Sequence, residues 1–199
     1  GEIALLENVR LFPGETDNAR ELAEKLSLKG DIFVMDAFGS AHRQHASTFG
    51  VAELSDTACA GLLLEQELLA ISKAMESPQV PMISVVGGSK TSTKLEVLNS
   101  LSQVSSRILV GGGILNTFLA ASGFKVGRSL YEPDLVDVAR DLSKSVEVPL
   151  PRDVIVSTDL SKQAKGEVKQ VDEVGNNEMI LDIGPVTARE WAKVLNEAK

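Results

Sequence analysis

Two lysines four residues apart carry the strongest chemical signal in the chain. In Ser84-Val85-Val86-Gly87-Gly88-Ser89-Lys90-Thr91-Ser92-Thr93-Lys94 an apolar run meets two adjacent glycines, and a helical pattern begins. Glycine lets backbone approach a ligand closely, and the free N–H groups of a helix start can hold a phosphate. With the helix starting at Lys90, Lys94 follows one turn along on the same face. Two ammonium groups so placed repel each other unless an anion sits between them, and a polyphosphate would answer that. The Walker A spacing G-x-x-x-x-G-K-[ST] is absent, because the glycines are adjacent. A plain strand–helix turn with two solvated lysines has the same spacing, so both readings stay open.

A second glycine-rich turn lies in Ile108-Leu109-Val110-Gly111-Gly112-Gly113-Ile114. Consecutive glycines are entropically costly, and they make sense where a flat group such as adenine or ribose presses on backbone. A tight strand–helix turn is the plain alternative. In an open α/β sheet, two such turns at strand carboxyl ends favour a ligand crevice there. The dinucleotide fingerprint G-x-G-x-x-G does not match, which weakens a nicotinamide reading. A further glycine-bearing strand end is Leu181-Asp182-Ile183-Gly184-Pro185, where Asp182 is a candidate metal ligand and a better candidate strand-end cap.

Earlier in the chain, Glu7-Asn8-Val9-Arg10 and Asp36-Ala37-Phe38-Gly39-Ser40-Ala41-His42-Arg43 each follow an apolar run. Arg10 and Arg43 can each fork two hydrogen bonds to a carboxylate or phosphate. His42 and His45 are the only histidines. A loop histidine is more often structural or solvated than catalytic.

These residues need elements to position them. Strand-length apolar runs at 3–6, 32–35, 82–86, 108–110, 154–157 and 179–183 alternate with helical windows at 16–28, 61–75, 91–101, 114–121, 134–146 and 186–198. Continuous apolar strands indicate a parallel sheet covered on both faces, and repeated strand–helix units indicate an α/β fold with right-handed crossovers. Residues 162–177 are polar and irregular, a loop or small hairpin. The helix at 61–75 stops before Ser77-Pro78, a breaker, which places a domain boundary within 61–78.

Composition narrows the partners. Of 199 residues, 43% are hydrophobic and 24% charged, with a formal charge of -8 and no basic block, which argues against nucleic-acid or acidic-membrane binding. Anion binding must then be local. The one cysteine, Cys59, lies in an apolar run; it allows no intramolecular disulfide and is expected to be a small buried residue in a reducing compartment. No apolar run is long enough to span a bilayer, there is no signal-like start, and the cytoplasm is the expected location. The chain starts without Met almost inside an apolar run and stops within a helical pattern, so a fragment is expected.

The motifs Leu5-Leu6-Glu7-Asn8-Val9-Arg10, Asp36-Ala37-Phe38-Gly39-Ser40-Ala41-His42-Arg43, Gly87-Gly88-Ser89-Lys90-Thr91-Ser92-Thr93-Lys94, Gly111-Gly112-Gly113-Ile114 and Leu181-Asp182-Ile183-Gly184 follow in the order found in phosphoglycerate kinase, in its bacterial form. The resemblance runs end to end. It implies parallel-sheet, Rossmann-like α/β lobes: part of the N-terminal lobe (1–60), an interdomain helix (61–78) and much of the C-terminal nucleotide lobe (79–199). It implies the glycolytic transfer of a phosphoryl group between ATP and 3-phosphoglycerate, with Mg²⁺. Arg10, Gly39, His42 and Arg43 match the 3-phosphoglycerate side. Lys90 and Lys94 match the lysines on the nucleotide phosphates and the transferring group. Gly88, Ser89, Gly112, Gly113 and Gly184 match the nucleotide pocket.

Family motifs expected before residue 1 and after residue 199, including a catalytic arginine and the Mg²⁺ ligand, have no counterpart here. The chain alone is therefore expected to be inactive or nearly so, and the full-length enzyme a monomer. Two other readings are a non-catalytic nucleotide-binding fragment and a Rossmann-type oxidoreductase.

Overall fold

A computed structural model describes residues 1–161 and 165–199. The chain divides into two compact units, Gly1–Glu76 and Ser77–Lys199.

In the first unit, α1 (Arg20–Ser27) packs on a π-helical turn at Ala46–Gly50 and on α3 (Val51–Leu54), with the short α2 (Phe38–Ala41) between them in sequence. The helix expected over 16–28 begins only at Arg20, because Gly14 and Asn18 adopt positive φ (86° and 52°) and turn the chain just before it. Strands β1 (Phe33–Met35) and β2 (Ala58–Ala60) form a parallel pair, Phe33 opposite Ala58. The long helix α4 (Leu62–Glu76) follows β2. Its first turn is held from outside: the Leu64 N–H donates to Asp36 Oδ1 at 2.9 Å. Few apolar side chains are buried here, Ala23, Ala46, Val51 and Leu64, and Glu15 is buried as well.

Two expectations fail in this unit. Residues 3–6 are not a strand; Ile3 and Leu5 are 100% and 98% exposed. An apolar run becomes a strand only where a neighbour accepts and donates its backbone hydrogen bonds, and here β1 and β2 pair with each other alone. Cys59 is exposed rather than buried, because every residue of that edge strand is exposed.

In the second unit β3 (Ile83–Gly88) pairs parallel with β4 (Arg107–Gly111), from Ile83 opposite Arg107 to Gly87 opposite Gly111. A 3-10 turn at Ser92–Lys94 leads into α5 (Leu95–Ser102); after β4 come α6 (Gly112–Ala121) and α7 (Val136–Ser145). Leu98, Ile108, Val110, Ile114, Phe118 and Leu119 make the centre of the core, each at most 1% exposed. Helix α6 is apolar round most of its circumference, as a helix enclosed on all sides must be.

Strands β5 (Asp153–Ser157), β6 (Glu167–Gln170) and β7 (Met179–Ile183) form a second sheet in the order β6-β5-β7, and α8 (Pro185–Asn196) closes the unit. Both pairings to β5 are antiparallel, so the all-parallel expectation holds only for β1–β2 and β3–β4. Parallel neighbours need a crossover of about a dozen residues or more. Only nine residues separate β5 from β6, too few for such a crossover, and β6 returns antiparallel to β5; β7 lies on the other side of β5, also antiparallel to it. The segment expected to be irregular, 162–177, begins outside the described residues; of its remainder, Glu167–Gln170 is β6 and Val171–Glu173 a 3-10 turn. No helix is long and apolar enough to cross a membrane among the described residues.

Candidate functional site

The register of β3 on β4 brings the two glycine turns together. A bridge between Gly88, the last residue of β3, and Gly112 continues the pairing one residue beyond β4. Gly112 has φ +64°, and a Cβ there would lie 2.7 Å from the Gly88 carbonyl oxygen. A Cβ on Gly113 would overlap the Ser89 carbonyl. These glycines are therefore required by close approach of two backbones, without any ligand. The same residues floor a cavity of about 700 Å³ whose facing wall is apolar: Leu130, Tyr131, Leu160, Met179, Ile180 and Leu181. Asn116 and Arg128 also line it. The Asn116 Nδ2 donates to the Leu130 carbonyl at 2.9 Å.

Lys90 and Lys94 are not among the residues lining this cavity; they follow Ser89, which is, and they do not share one helical face. Lys90 precedes the helix and Lys94 ends the 3-10 turn, so α-helical spacing does not relate them. The Lys94 stem lies over the glycine turn, its Cγ 3.9 Å from where a Gly88 Cβ would stand. Both lysines are exposed.

Sequence reasoning missed the residue that holds this turn. Glu132 Oε1 accepts from Ser92 Oγ at 2.6 Å, and Oε2 accepts from the Ser92 N–H at 2.8 Å. The Ser92 hydroxyl first, then its N–H, with the Lys90 charge adding, hold the Glu132 carboxyl below the usual range. The Ser92 amide at the helix start is therefore already taken by a carboxylate and is not free for phosphate. Glu132 lies 40 residues from Ser92, beyond any motif spacing.

Gly184 has a different neighbour. A Cβ there would overlap the Asp153 carboxylate, which caps α8 by accepting from the Val186 N–H at 2.9 Å and the Thr187 N–H at 2.7 Å. Burial opposes ionisation of Asp153, but the Thr187 hydroxyl and the two amides outweigh it and lower its pKa. Gly184 is not among the residues lining the cavity. Asp182 Oδ1 accepts from the Ile183 N–H at 2.8 Å, a local strand-end contact. Among the described residues no group of three or more His, Cys, Asp or Glu is placed to hold a metal ion.

The residues expected on the 3-phosphoglycerate side lie in the first unit. Arg10 sits in the 3-10 turn Val9–Leu11, its N–H bonded to Asn8 Oδ1 at 3.0 Å, and its side chain is exposed. Gly39 is within α2, a Cβ there would meet open space, and His42 ends that helix. Arg43 is exposed, and its carbonyl accepts from Thr48 Oγ1 at 2.6 Å. Behind this loop the buried Glu15 accepts from Ser47, its N–H at 3.0 Å and its Oγ at 2.5 Å, with His45 Nδ1 3.8 Å away. His45 is thus a structural histidine, and Glu15, which no motif singled out, anchors the loop that follows Arg43.

The second unit defines a class: an α/β lobe with a cavity at the carboxyl ends of two adjacent parallel strands, followed in sequence by a lysine-bearing turn. The family model for phosphoglycerate kinase matches residues 1–199, and the chain belongs to that family. It is 53% identical over 199 residues to phosphoglycerate kinase of Haemophilus influenzae (strain PittGG), matching 100% of this chain and 52% of that protein. Among solved structures it is similar to phosphoglycerate kinase from Coxiella burnetii, at 48% identity and TM-score 0.76, covering 96% of this chain and 50% of the other. The enzyme from Pyrococcus horikoshii OT3 gives 29% identity and TM-score 0.78, with 100% and 53% covered. The chain spans about half the length of these relatives. Membership of this family overturns the oxidoreductase alternative.

Proposed function

We propose that this chain carries the nucleotide site and part of the 3-phosphoglycerate site of a phosphoglycerate kinase, which moves a phosphoryl group reversibly between ATP and 3-phosphoglycerate, giving ADP and 1,3-bisphosphoglycerate. The observation that carries the reading is the pairing of two glycine turns around one cavity, with Lys90 and Lys94 on the adjoining turn. The apolar wall suits a purine. Gly88, Ser89, Gly112 and Gly113 let the nucleotide approach backbone. Gly184 belongs to the same pocket in this reading, acting through the Asp153 cap behind it. Lys90 and Lys94 neutralise phosphate charge before and during transfer, which is the main catalytic work of a phosphoryl-transfer protein. Arg10 and Arg43 supply forked donors for 3-phosphoglycerate, with Gly39 and His42 beside Arg43.

Phosphoryl transfer in this family is expected to use Mg²⁺. The described residues do not supply a cluster of ligands for it, so no step is assigned to the metal. The proposed location is the cytoplasm, and the proposed state of the full-length enzyme a monomer.

Calorimetric titration tests the nucleotide reading. ATP and ADP should bind the chain, NADH should not displace them, and Lys90→Ala or Lys94→Ala should weaken ATP about tenfold or more, the loss of a charge-assisted contact. Unchanged ATP affinity in both variants would refute the site. A turnover assay with ATP and 3-phosphoglycerate separates an enzyme from a binding fragment. The expected rate for these 199 residues alone is near zero.

A further inference from the structure

We propose that Glu132 is the positioning residue of the Lys90–Lys94 turn, setting the lysines relative to the apolar wall of the cavity; the proposal rests on reading that turn as the ATP-phosphate site. Residues 129–132 form a strap that touches both parts of the pocket. At one end Ser129 Oγ accepts from the Ile180 N–H at 2.8 Å, and Leu130 and Tyr131 contribute to the apolar wall. At the other end both Glu132 oxygens hold Ser92. The strap is fixed from behind by consecutive residues of α6: Asn116 donates to the Leu130 carbonyl, and the Glu132 N–H donates to Thr117 Oγ1 at 3.2 Å.

Thr117 closes the network. Its hydroxyl accepts from Thr91 Oγ1 at 3.1 Å and donates to the Gly113 carbonyl at 3.1 Å, so one fully buried group ties the lysine turn, the glycine turn and the strap together. Thr93 Oγ1 also donates to the Lys90 carbonyl at 2.9 Å. Glu132 is itself held stiffly. It precedes Pro133, which restricts it to extended backbone, and it has φ −113° and ψ 101°. Ser92 therefore meets a carboxylate whose backbone is fixed beside the apolar residues Leu130 and Tyr131. That coupling makes Glu132 a positioning residue rather than a local cap.

The test uses Glu132→Ala, Glu132→Gln and Ser92→Ala in the same 199-residue chain. Hydrogen-exchange mass spectrometry on peptides covering residues 88–95 should show exchange faster by about 10–100-fold in Glu132→Ala, the loss of bonds to a charged acceptor. Glu132→Gln, which keeps one acceptor oxygen, should fall between it and the parent, and so should Ser92→Ala, which keeps the amide bond. Peptides of the β5–β7 sheet should not change. In parallel, affinity for ATP should drop about tenfold while affinity for adenosine is retained. Unchanged exchange at 88–95 in any folded Glu132 variant overturns the proposal, whether or not the chain binds nucleotide. Equal losses for ATP and adenosine overturn it too, by reducing Glu132 to general support of the pocket. If the parent chain binds no ATP, the phosphate-site reading fails, and the exchange data alone decide whether Glu132 sets the turn.

Discussion

Gly112 and Glu132 show how single residues act in the second unit. Gly112 combines a φ of +64° with a Cβ direction aimed at the Gly88 carbonyl. Gly112→Ala should therefore cost about 2–4 kcal/mol, from left-handed strain plus overpacking against backbone that cannot yield. Urea unfolding checks this; a loss below about 0.5 kcal/mol, the range of an indifferent surface substitution, would contradict it. The glycines and the lysine pair were legible in the sequence, because each turn is a local string. Their reason was not. The strings read as places for a ligand, whereas Gly112 and Gly113 answer first to the neighbouring turn. Glu132 was invisible, since a carboxylate 40 residues from its partner leaves no spacing to read.

At the scale of elements, one device recurs: a carboxylate delivered from elsewhere in the fold takes the first amides of a helix. Asp36 does this for α4, Glu132 for the turn leading into α5, and Asp153 for α8. Asp153→Ala should destabilise the second unit by about 2–3 kcal/mol, a lost cap plus buried amides left unsatisfied. The pKa of Asp153 is lowered by folding, so its contribution is full above the ordinary aspartate value near 3.9 and is lost as pH falls through the lower folded value. Denaturation midpoints measured between pH 7 and pH 3 should show an acid-side decline that is smaller in Asp153→Asn; identical pH profiles would rule this out. In the core, Leu98→Ala should cost about 2–5 kcal/mol, because Leu98 is fully buried in a continuous cluster. Most helices and the strands β1, β3, β4, β5 and β7 were legible from periodicity and apolar runs, whereas the three-residue β2 (Ala58–Ala60) was too short to be read as a strand. Strand β6 was not, being a polar edge with no hydrophobic signature.

The whole chain holds two units of unequal quality. The second has a continuous core from Val86 to Val174. The first leaves Ile3, Leu5, Leu62, Leu68, Leu69 and Ile71 largely exposed and buries few apolar side chains. Stability follows buried apolar area, so amide protection in Gly1–Glu76 should disappear at lower urea than in Ser77–Lys199. Hydrogen exchange across a urea series measures this directly, and one shared transition for both units would contradict it.

The sequence by itself determined the family, the α/β class, the long helices with most of the strands, and the two lysine- and glycine-bearing turns, because each is written in contiguous residues. Only the tertiary structure decided which strands pair and in which sense, why particular glycines are needed, that Lys90 and Lys94 do not share a helical face, and which carboxylates hold the helix starts. All of these depend on contacts between residues distant in the chain, and the energy of such a contact has no trace in either local string.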